Sequence, residues 1–415
     1  MPTAVLLSQG DEVVTGQIVD TNAAWLADQL TGLGFDVVSH VTVGDRLPDL
    51  VRALEAVCAA GDVVVCTGGL GPTDDDLTGE AASRAFGVPL RFDDEAWSQI
   101  VALYSRFGRE IPEVNRKQAL LPEGSLRLDN PHGTAPGFAL ATPQGAFFAA
   151  MPGVPHEMRA MFLDRVVPAL QARLALRPSR LIVIHTTGVG ESALQERIGA
   201  FERPGMVLSY RTTLGDNLVK LRAAPEVEDR VVREVVAELV SRIGSPVFSI
   251  DGLGEPGGGL VEVIGRALVA AGATLALAES CTGGQIAAAC TAEAGASAWL
   301  IEGVVAYANE AKTRHLGVPA ALIAEHGAVS EPVAIAMAEG VRRVAGATYG
   351  LATTGIAGPT GGSADKPVGT VHLALATPQG TLHRRIQLGG GRGRVQALTV
   401  AAALDLLRRS LRGLT

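Results

Sequence analysis

The chain has 415 residues, enough for roughly two or three domains, each with its own core. Hydrophobic residues make up 47% and charged residues 19%, which excludes an intrinsically disordered chain. A net charge of −8 excludes a whole-chain electrostatic footprint for nucleic acid, and no apolar run approaches the ~20 residues of a membrane span.

The start of the chain runs directly into a strand pattern at residues 4–7 with no basic leader, the pattern of a cytoplasmic protein. Cys58, Cys66, Cys281 and Cys290 show no CxxC spacing and read as small buried residues in a reducing compartment. A turn at residues 8–12 follows the first strand, then a helix at 22–33 stopped by Gly34. A strand at 37–43, a helix at 48–60 and a buried strand at 62–66 come next. This alternation predicts a parallel α/β sheet with right-handed crossovers.

The third strand opens into Thr67-Gly-Gly-Leu-Gly-Pro-Thr-Asp-Asp-Asp76. In such a sheet the turns after strands one and three share the carboxyl edge, where ligands bind, so Asp11 and Glu12 approach this loop. Glycines let a backbone come close to phosphate, and grouped carboxylates attract Mg²⁺. The competing explanation is that the aspartates complement the dipole of the next helix. Three of them beside a glycine-rich turn favour a phosphorylated ligand with a divalent metal.

Residues 94–107 form an amphipathic helix, after which the chain becomes loop-rich. A hairpin is expected at 138–141 and 146–150, and Pro155 starts a helix that carries Glu157. Residues 172–251 read as a small α+β domain, structural or dimerising, whose Gly188-Val-Gly-Glu191 falls short of a GxxG loop. The glycine- and proline-rich run 251–259, which includes Glu255, reads as a linker. The heptapeptide Ala-Leu-Ala-Thr-Pro-Gln-Gly occurs at 139–145 and again at 374–380, and both copies are expected to form hairpins with the same turn.

The third segment, 252–415, holds an apolar strand at 274–278 that leads into Glu279-Ser-Cys-Thr-Gly-Gly284 and a helix from Gln285. Ser280 can be a helix cap or a nucleophile aided by the helix N-terminus, and the local sequence favours the cap. Ser330 reads as another N-cap. A second glycine-rich loop, 354–362, follows a strand at 349–353, and Gly389-Gly-Gly-Arg-Gly-Arg394 precedes a final apolar helix.

These motifs have a shared home. Gly10-Asp-Glu12, Gly16 to Asn22, Thr67 to Thr73 and Met151-Pro-Gly-Val-Pro155 resemble the molybdopterin-binding-like domain of the CinA family (competence/damage-inducible protein). Glu279 to Gly284, Tyr307-Ala-Asn-Glu-Ala-Lys312, His326 to Pro332, Gly355 to Pro359 and Lys366 to Thr370 resemble that family's C-terminal domain. The resemblance implies three domains: a molybdopterin-binding-like parallel α/β domain at 1–171, the small α+β domain at 172–251, and a C-terminal α/β domain at 252–415.

For the C-terminal domain it implies deamidation of nicotinamide mononucleotide to nicotinate mononucleotide and ammonia, without a cofactor. Ser280 would be the nucleophile, Lys312 its base, and Tyr307 and Thr354 would shape the site. Thr282, Gly283, Gly355 and Gly358 would line it, while Arg392 and, more weakly, Lys366 would take the phosphate. Where the family commonly carries an Asp just before that Arg, this chain has Gly391, which removes the expected orienting partner.

For the first domain the resemblance implies metal-dependent hydrolysis of ADP-ribose to AMP and ribose 5-phosphate. Gly68, Gly69, Gly71, Thr73, Asn22 and Lys117 would bind this substrate, and Asp11, Asp75, Asp76 and Glu157 would hold the metal. Two other readings stay open: an interaction protein of DNA uptake or repair, and a first domain that binds molybdopterin without hydrolysing anything. Net acidity and the lack of a basic, aromatic-interleaved stretch count against direct nucleic-acid binding. Family members are dimeric, which implies a homodimer.

Overall fold

The computed structural model describes residues 2–213, 215–254 and 256–414, so Glu255 of the predicted linker lies outside the described residues. The chain divides into two compact units, Met1–Ser179 and Arg180–Thr415. No described helix is long and apolar enough to cross a membrane.

In the first unit the strands are β1 (Thr3–Gln9), β2 (Asp36–Val43), β3 (Val63–Thr67), β4 (Leu90–Phe92), β5 (Leu120–Pro122), β6 (Leu126–Leu128), β7 (Gly137–Ala141) and β8 (Phe147–Met151). The main sheet has the order β2-β1-β3-β8-β7-β6. The pairs β1–β2, β1–β3 and β3–β8 are parallel, while β7 and β6 add antiparallel at one edge.

Both faces of this sheet are covered. Leu6, Val63 and Val65 meet Leu26, Leu30 and Phe162 on one side, and Val5, Leu7 and Val64 meet Leu50 and Leu54 on the other. Two buried faces explain why the central strands are apolar at every position rather than at alternate ones. The predicted turn after β1 is a short helix, Asp11–Val14, entered through Gly10. The predicted loops beyond Arg106 contain a 3-10 helix, Glu113–Ala119, and β5, which pairs back with β4.

The second unit has two sheets. One is wholly antiparallel, in the order β10-β11-β9-β12, from β9 (Arg180–Thr186), β10 (Met206–Thr212), β11 (Asn217–Ala223) and β12 (Val247–Asp251). Helices Glu191–Ile198 and Asp229–Ile243 contribute Leu194, Val232 and Leu239 to its core. The strand Val247–Asp251 takes up the start of the predicted linker, and Asp251 holds the linker's far side through Gly258 N to Oδ1, 2.9 Å.

The other sheet has the order β14-β13-β15-β16-β17, from β13 (Leu275–Glu279), β14 (Leu300–Val305), β15 (Tyr349–Gly355), β16 (Thr370–Thr377) and β17 (Gly380–Gln387). Its first three strands are parallel and its last two antiparallel. Helix Glu331–Ala345 covers one face, and the final helix, Arg392–Leu411, packs with the other.

Two local expectations fail. The repeated heptapeptide closes differently in its two copies: Thr142 N bonds Ala146 O at 2.8 Å in the first, whereas Thr377 pairs with Gly380 across a two-residue turn in the second. The residues after the heptapeptide differ, so cross-strand partners override the shared turn sequence. Ser330 makes no side-chain cap; its hydroxyl donates backward to Gly327 O at 2.7 Å.

Candidate active sites

The carboxyl ends of β13 and β15 lie side by side, since Glu279 pairs with Thr353. The turn after β13 carries Ser280, whose N–H donates to Thr353 O at 3.0 Å. Ser280 is 8% exposed, so its hydroxyl sits at the floor of the surface.

Helix Gln285–Thr291 is capped by Glu279 and not by Ser280. Its carboxylate accepts from Gly284 N (3.1 Å), Ile286 N (3.1 Å) and Ala287 N (2.8 Å). At 1% exposure, this charge is held by three backbone donors and the positive end of the helix. The expectation that Ser280 might cap its own helix is corrected: the residue before it does so, which leaves the Ser280 hydroxyl uncommitted to the helix end.

Lys312 projects from the first turn of helix Asn309–Leu316 and is 1% exposed. Its Nζ lies 3.1 Å from Ser280 Oγ, 2.8 Å from Ala306 O and 3.1 Å from Tyr307 O. Burial pushes the Lys312 ammonium below its ordinary value, against a smaller opposing pull from Cys281 and Glu310. A neutral amine has two N–H bonds and one lone pair. The two carbonyls take the N–H groups, which leaves the lone pair for the Ser280 hydroxyl. The amides of Cys281 and Thr282 have no acceptor among the described residues, so the same turn offers donors beside the hydroxyl.

The remaining predicted residues surround this pair. Thr282 Oγ1 and Thr353 Oγ1 are 2.8 Å apart, and Gly283 and Gly284 take the positive φ values of 63° and 94° that the turn needs. Thr354 donates to Ala328 O at 2.8 Å, and Gly355 ends β15 against Val371. Arg392 donates to Gly358 O (3.1 Å) and to the Tyr307 hydroxyl (3.2 Å). A carbonyl and a phenol thus orient the guanidinium where Gly391 offers no carboxylate. Lys366 is tied to His326 O at 2.8 Å, and no contact joins it to Arg392 among the described residues. Gln396 was not anticipated; its side chain donates to Cys281 O at 2.9 Å and fixes the Ser280 turn from the last helix.

In the first unit the ends of β1, β3 and β8 border a cavity of about 410 Å³, lined by Gln9, Gly68–Gly71 and Gly153 together with Glu12, Asp45, Asp75, Asp76 and Glu157. A Cβ on Gly68 or Gly69 would strike Gln9 O at 2.4 Å or Gln9 Oε1 at 2.1 Å, so only glycine fits this loop. Asn22 donates to Gly153 O at 2.7 Å, and its buried Oδ1 has no partner among the described residues. Lys117 bonds Thr73 O, while the Thr73 hydroxyl and amide both serve Asp76 Oδ2.

Three of the four predicted metal carboxylates, Asp75, Asp76 and Glu157, line this cavity. Asp11 lies outside the cavity lining and accepts from Asp45 N at 3.1 Å. Asp76 is engaged by Thr73, and Glu157 accepts from Asn130 at 2.7 Å. Among the described residues no three His, Cys, Asp or Glu side chains converge as a metal cluster. Glu12 and Asp45 do reach the cavity; nothing in the local pattern around Asp45 signals it.

Fold and sites together define a two-unit α/β protein, with a glycine-lined cavity in one unit and a buried Ser–Lys pair in the other. Residues 5–172 match the family described as probable molybdopterin binding domain, and residues 258–411 match the CinA C-terminal domain. A CinA-like protein from Citrifermentans bemidjiense is 44% identical over 408 residues, covering 98% of this chain and 97% of that one. Another from Geobacter metallireducens is 42% identical over 417 residues, covering 99% of both. The crystal structure of a CinA superfamily protein from Klebsiella pneumoniae is 39% identical and covers 37% of this chain and 96% of its own, with a TM-score of 0.36. The chain belongs to the CinA family, in its two-module form.

Proposed function

We propose that the second unit is an amide hydrolase that converts nicotinamide mononucleotide to nicotinate mononucleotide and ammonia. The observation that carries this reading is the buried Lys312 Nζ, 3.1 Å from Ser280 Oγ with its other two directions on carbonyls. Ser280 Oγ attacks the carboxamide carbon as its proton passes to Lys312. The oxyanion faces the Cys281 and Thr282 amides. Lys312 then returns the proton to the leaving nitrogen, and ammonia departs from an acyl-Ser280 ester. Water, deprotonated by Lys312, cleaves that ester to nicotinate mononucleotide and free serine. Arg392, at the N-terminus of the last helix, is suited to the substrate phosphate. The test is ammonia release from nicotinamide mononucleotide. Ser280→Ala is expected to lower it by at least about 10³-fold; intact release by that variant would end the assignment.

For the first unit we infer a divalent-metal-dependent ADP-ribose pyrophosphatase, releasing AMP and ribose 5-phosphate. The hard oxygen donors of Asp75 and Glu157, with Glu12 and Asp45 nearby, fit Mg²⁺. That ion commonly takes one or two protein carboxylates and completes its shell with water and substrate phosphate, so a three-residue cluster is not required. When bound, the ion would neutralise diphosphate charge and favour attack by water at phosphorus. The chain's own part is to cradle the diphosphate on the Gly68–Gly71 backbone, with Asn22 holding the neighbouring Gly153 carbonyl in place. Release of AMP that survived complete chelation would overturn the metal assignment. The match of the first unit to the probable molybdopterin binding domain favours a second reading, a molybdopterin-binding module without hydrolase activity; failure to release any AMP with Mg²⁺ present would select it. A homodimeric assembly in the cytoplasm completes this proposal, and sedimentation of the purified chain tests the dimer.

A further inference from the structure

Within the second unit a cavity of about 520 Å³ opens between the antiparallel sheet and the last helix. None of the residues discussed for the Ser280 site lines it. The volume falls in the range of roughly 300–1,000 Å³ typical of small-molecule sites. Its walls come from the loop Gly188–Gly190, the hairpin end near Gly215 and Asn217, one face of β17, and one face of the final helix.

The lining is chemically sorted. Arg384 of β17 and Arg394 in the first turn of the last helix supply two guanidiniums. Both residues are exposed, and neither guanidinium has a hydrogen-bond or ion-pair partner among the described residues. Ile386, Leu398 and Val189 provide apolar wall. Asp405 also reaches the cavity, but its charge is held by Arg408 at 2.7 Å, with both residues buried. Asn217 donates its side-chain N–H to Val189 O, which ties the hairpin end to the Gly188–Gly190 loop.

Unpaired guanidiniums suit phosphate oxygens, and apolar walls suit a flat ring. The amides of Gly188, Val189 and Gly190 have no acceptor among the described residues and precede the eight-residue helix Glu191–Ile198, adding donors at the rim. We propose that this cavity is a separate binding site for a nucleoside monophosphate, with Arg384 and Arg394 on the phosphate and the ring against Val189, Ile386 and Leu398.

The test uses the full chain and AMP carrying a photoreactive azide on its ring. After irradiation, labelled peptides are mapped by mass spectrometry, which separates this cavity from the two other nucleotide sites in the same experiment. Label is expected on peptides containing residues 187–190, 212–217 or 398–402. Arg384→Glu should reduce it about tenfold, the loss of one charge-assisted contact, and inorganic phosphate should compete. Leu398→Trp, which fills the cavity without altering its charge, should block labelling as well, so the proposal does not depend on one variant folding. Label confined to peptides around Gly68–Gly71 or Ser280–Gly284 would overturn the proposal. So would cavity label that neither variant reduced. The readout needs no turnover and is independent of whether the chain hydrolyses either proposed substrate.

Discussion

Lys312 can serve as a base only where it is uncharged, and its position sets the pH at which that happens. Burial lowers its value, so the neutral amine appears at lower pH than for an exposed lysine. Ammonia release should therefore rise with pH through this lowered value and fall away below it as the amine is protonated. Lys312→Arg, permanently charged, should lose about 10²–10⁴-fold at every pH. A rate profile of nicotinamide mononucleotide hydrolysis checks both. Glu279 makes a second prediction at the same scale. Glu279→Ala leaves three backbone N–H groups of the turn without their acceptor, an expected loss of about 1–3 kcal/mol or more in stability. Because that turn carries Ser280, kcat should fall in the same variant while the KM for substrate changes little. Urea unfolding and steady-state kinetics separate the two effects.

The final helix, Arg392–Leu411, is the element on which the second unit is assembled. Its first turn supplies Arg392, its second supplies Gln396 to the Ser280 turn, and its last turns hold the antiparallel sheet. That hold runs through Arg408 to Ser245 O (3.1 Å) and Arg412 to Phe248 O (2.8 Å). Arg408 is buried with Asp405, and one of its nitrogens has no partner among the described residues. Asp405→Ala would leave an uncompensated buried guanidinium, so thermal unfolding should show destabilisation of about 3–5 kcal/mol. Asp405→Asn, which keeps an acceptor, should lose less. Little of this was legible from the pattern of the chain: the helix's apolar periodicity announced that it would pack, but Arg408 reads in sequence as an ordinary charged residue near a helix end. Its burial follows from a segment 163 residues earlier folding against it.

At the scale of the whole second unit, His185 ties three parts of the chain. Its ring bonds Asp251 Oδ2 at 2.8 Å, where the glycine-rich run begins, and Asp216 Oδ2 at 3.4 Å in the hairpin. Burial pulls the imidazolium down, but the hydrogen bonds to Asp216 and Asp251 outweigh it and the value lies above the ordinary 6.5. A raised folded value means the charged form stabilises the fold. That contribution is complete below about 6.5 and disappears as pH rises through the folded value. The melting temperature should accordingly fall over that window, and His185→Gln should flatten the dependence. A wild-type curve that rose through the same window would refute the clamp.

The parallel sheets, their glycine-rich loops and the Ser280 turn could be read from the chain because these are local patterns: apolar runs set strand positions, and glycines mark where φ must be positive. The membership of the family follows from motif order along nearly the whole chain. Tertiary structure alone decided which side chain does what at each turn. It assigned the helix cap to Glu279 and freed Ser280, placed Lys312 against it, and gave Arg392 a carbonyl and a phenol in place of the missing carboxylate. It kept Asp11 off the cavity that Asp75, Asp76 and Glu157 line, and it brought Asp45, Gln396 and Arg408 to positions no spacing suggests. The physical reason is common to all of these. Periodicity reports which face of an element is buried, whereas hydrogen bonds between residues scores apart depend on how the elements come to rest.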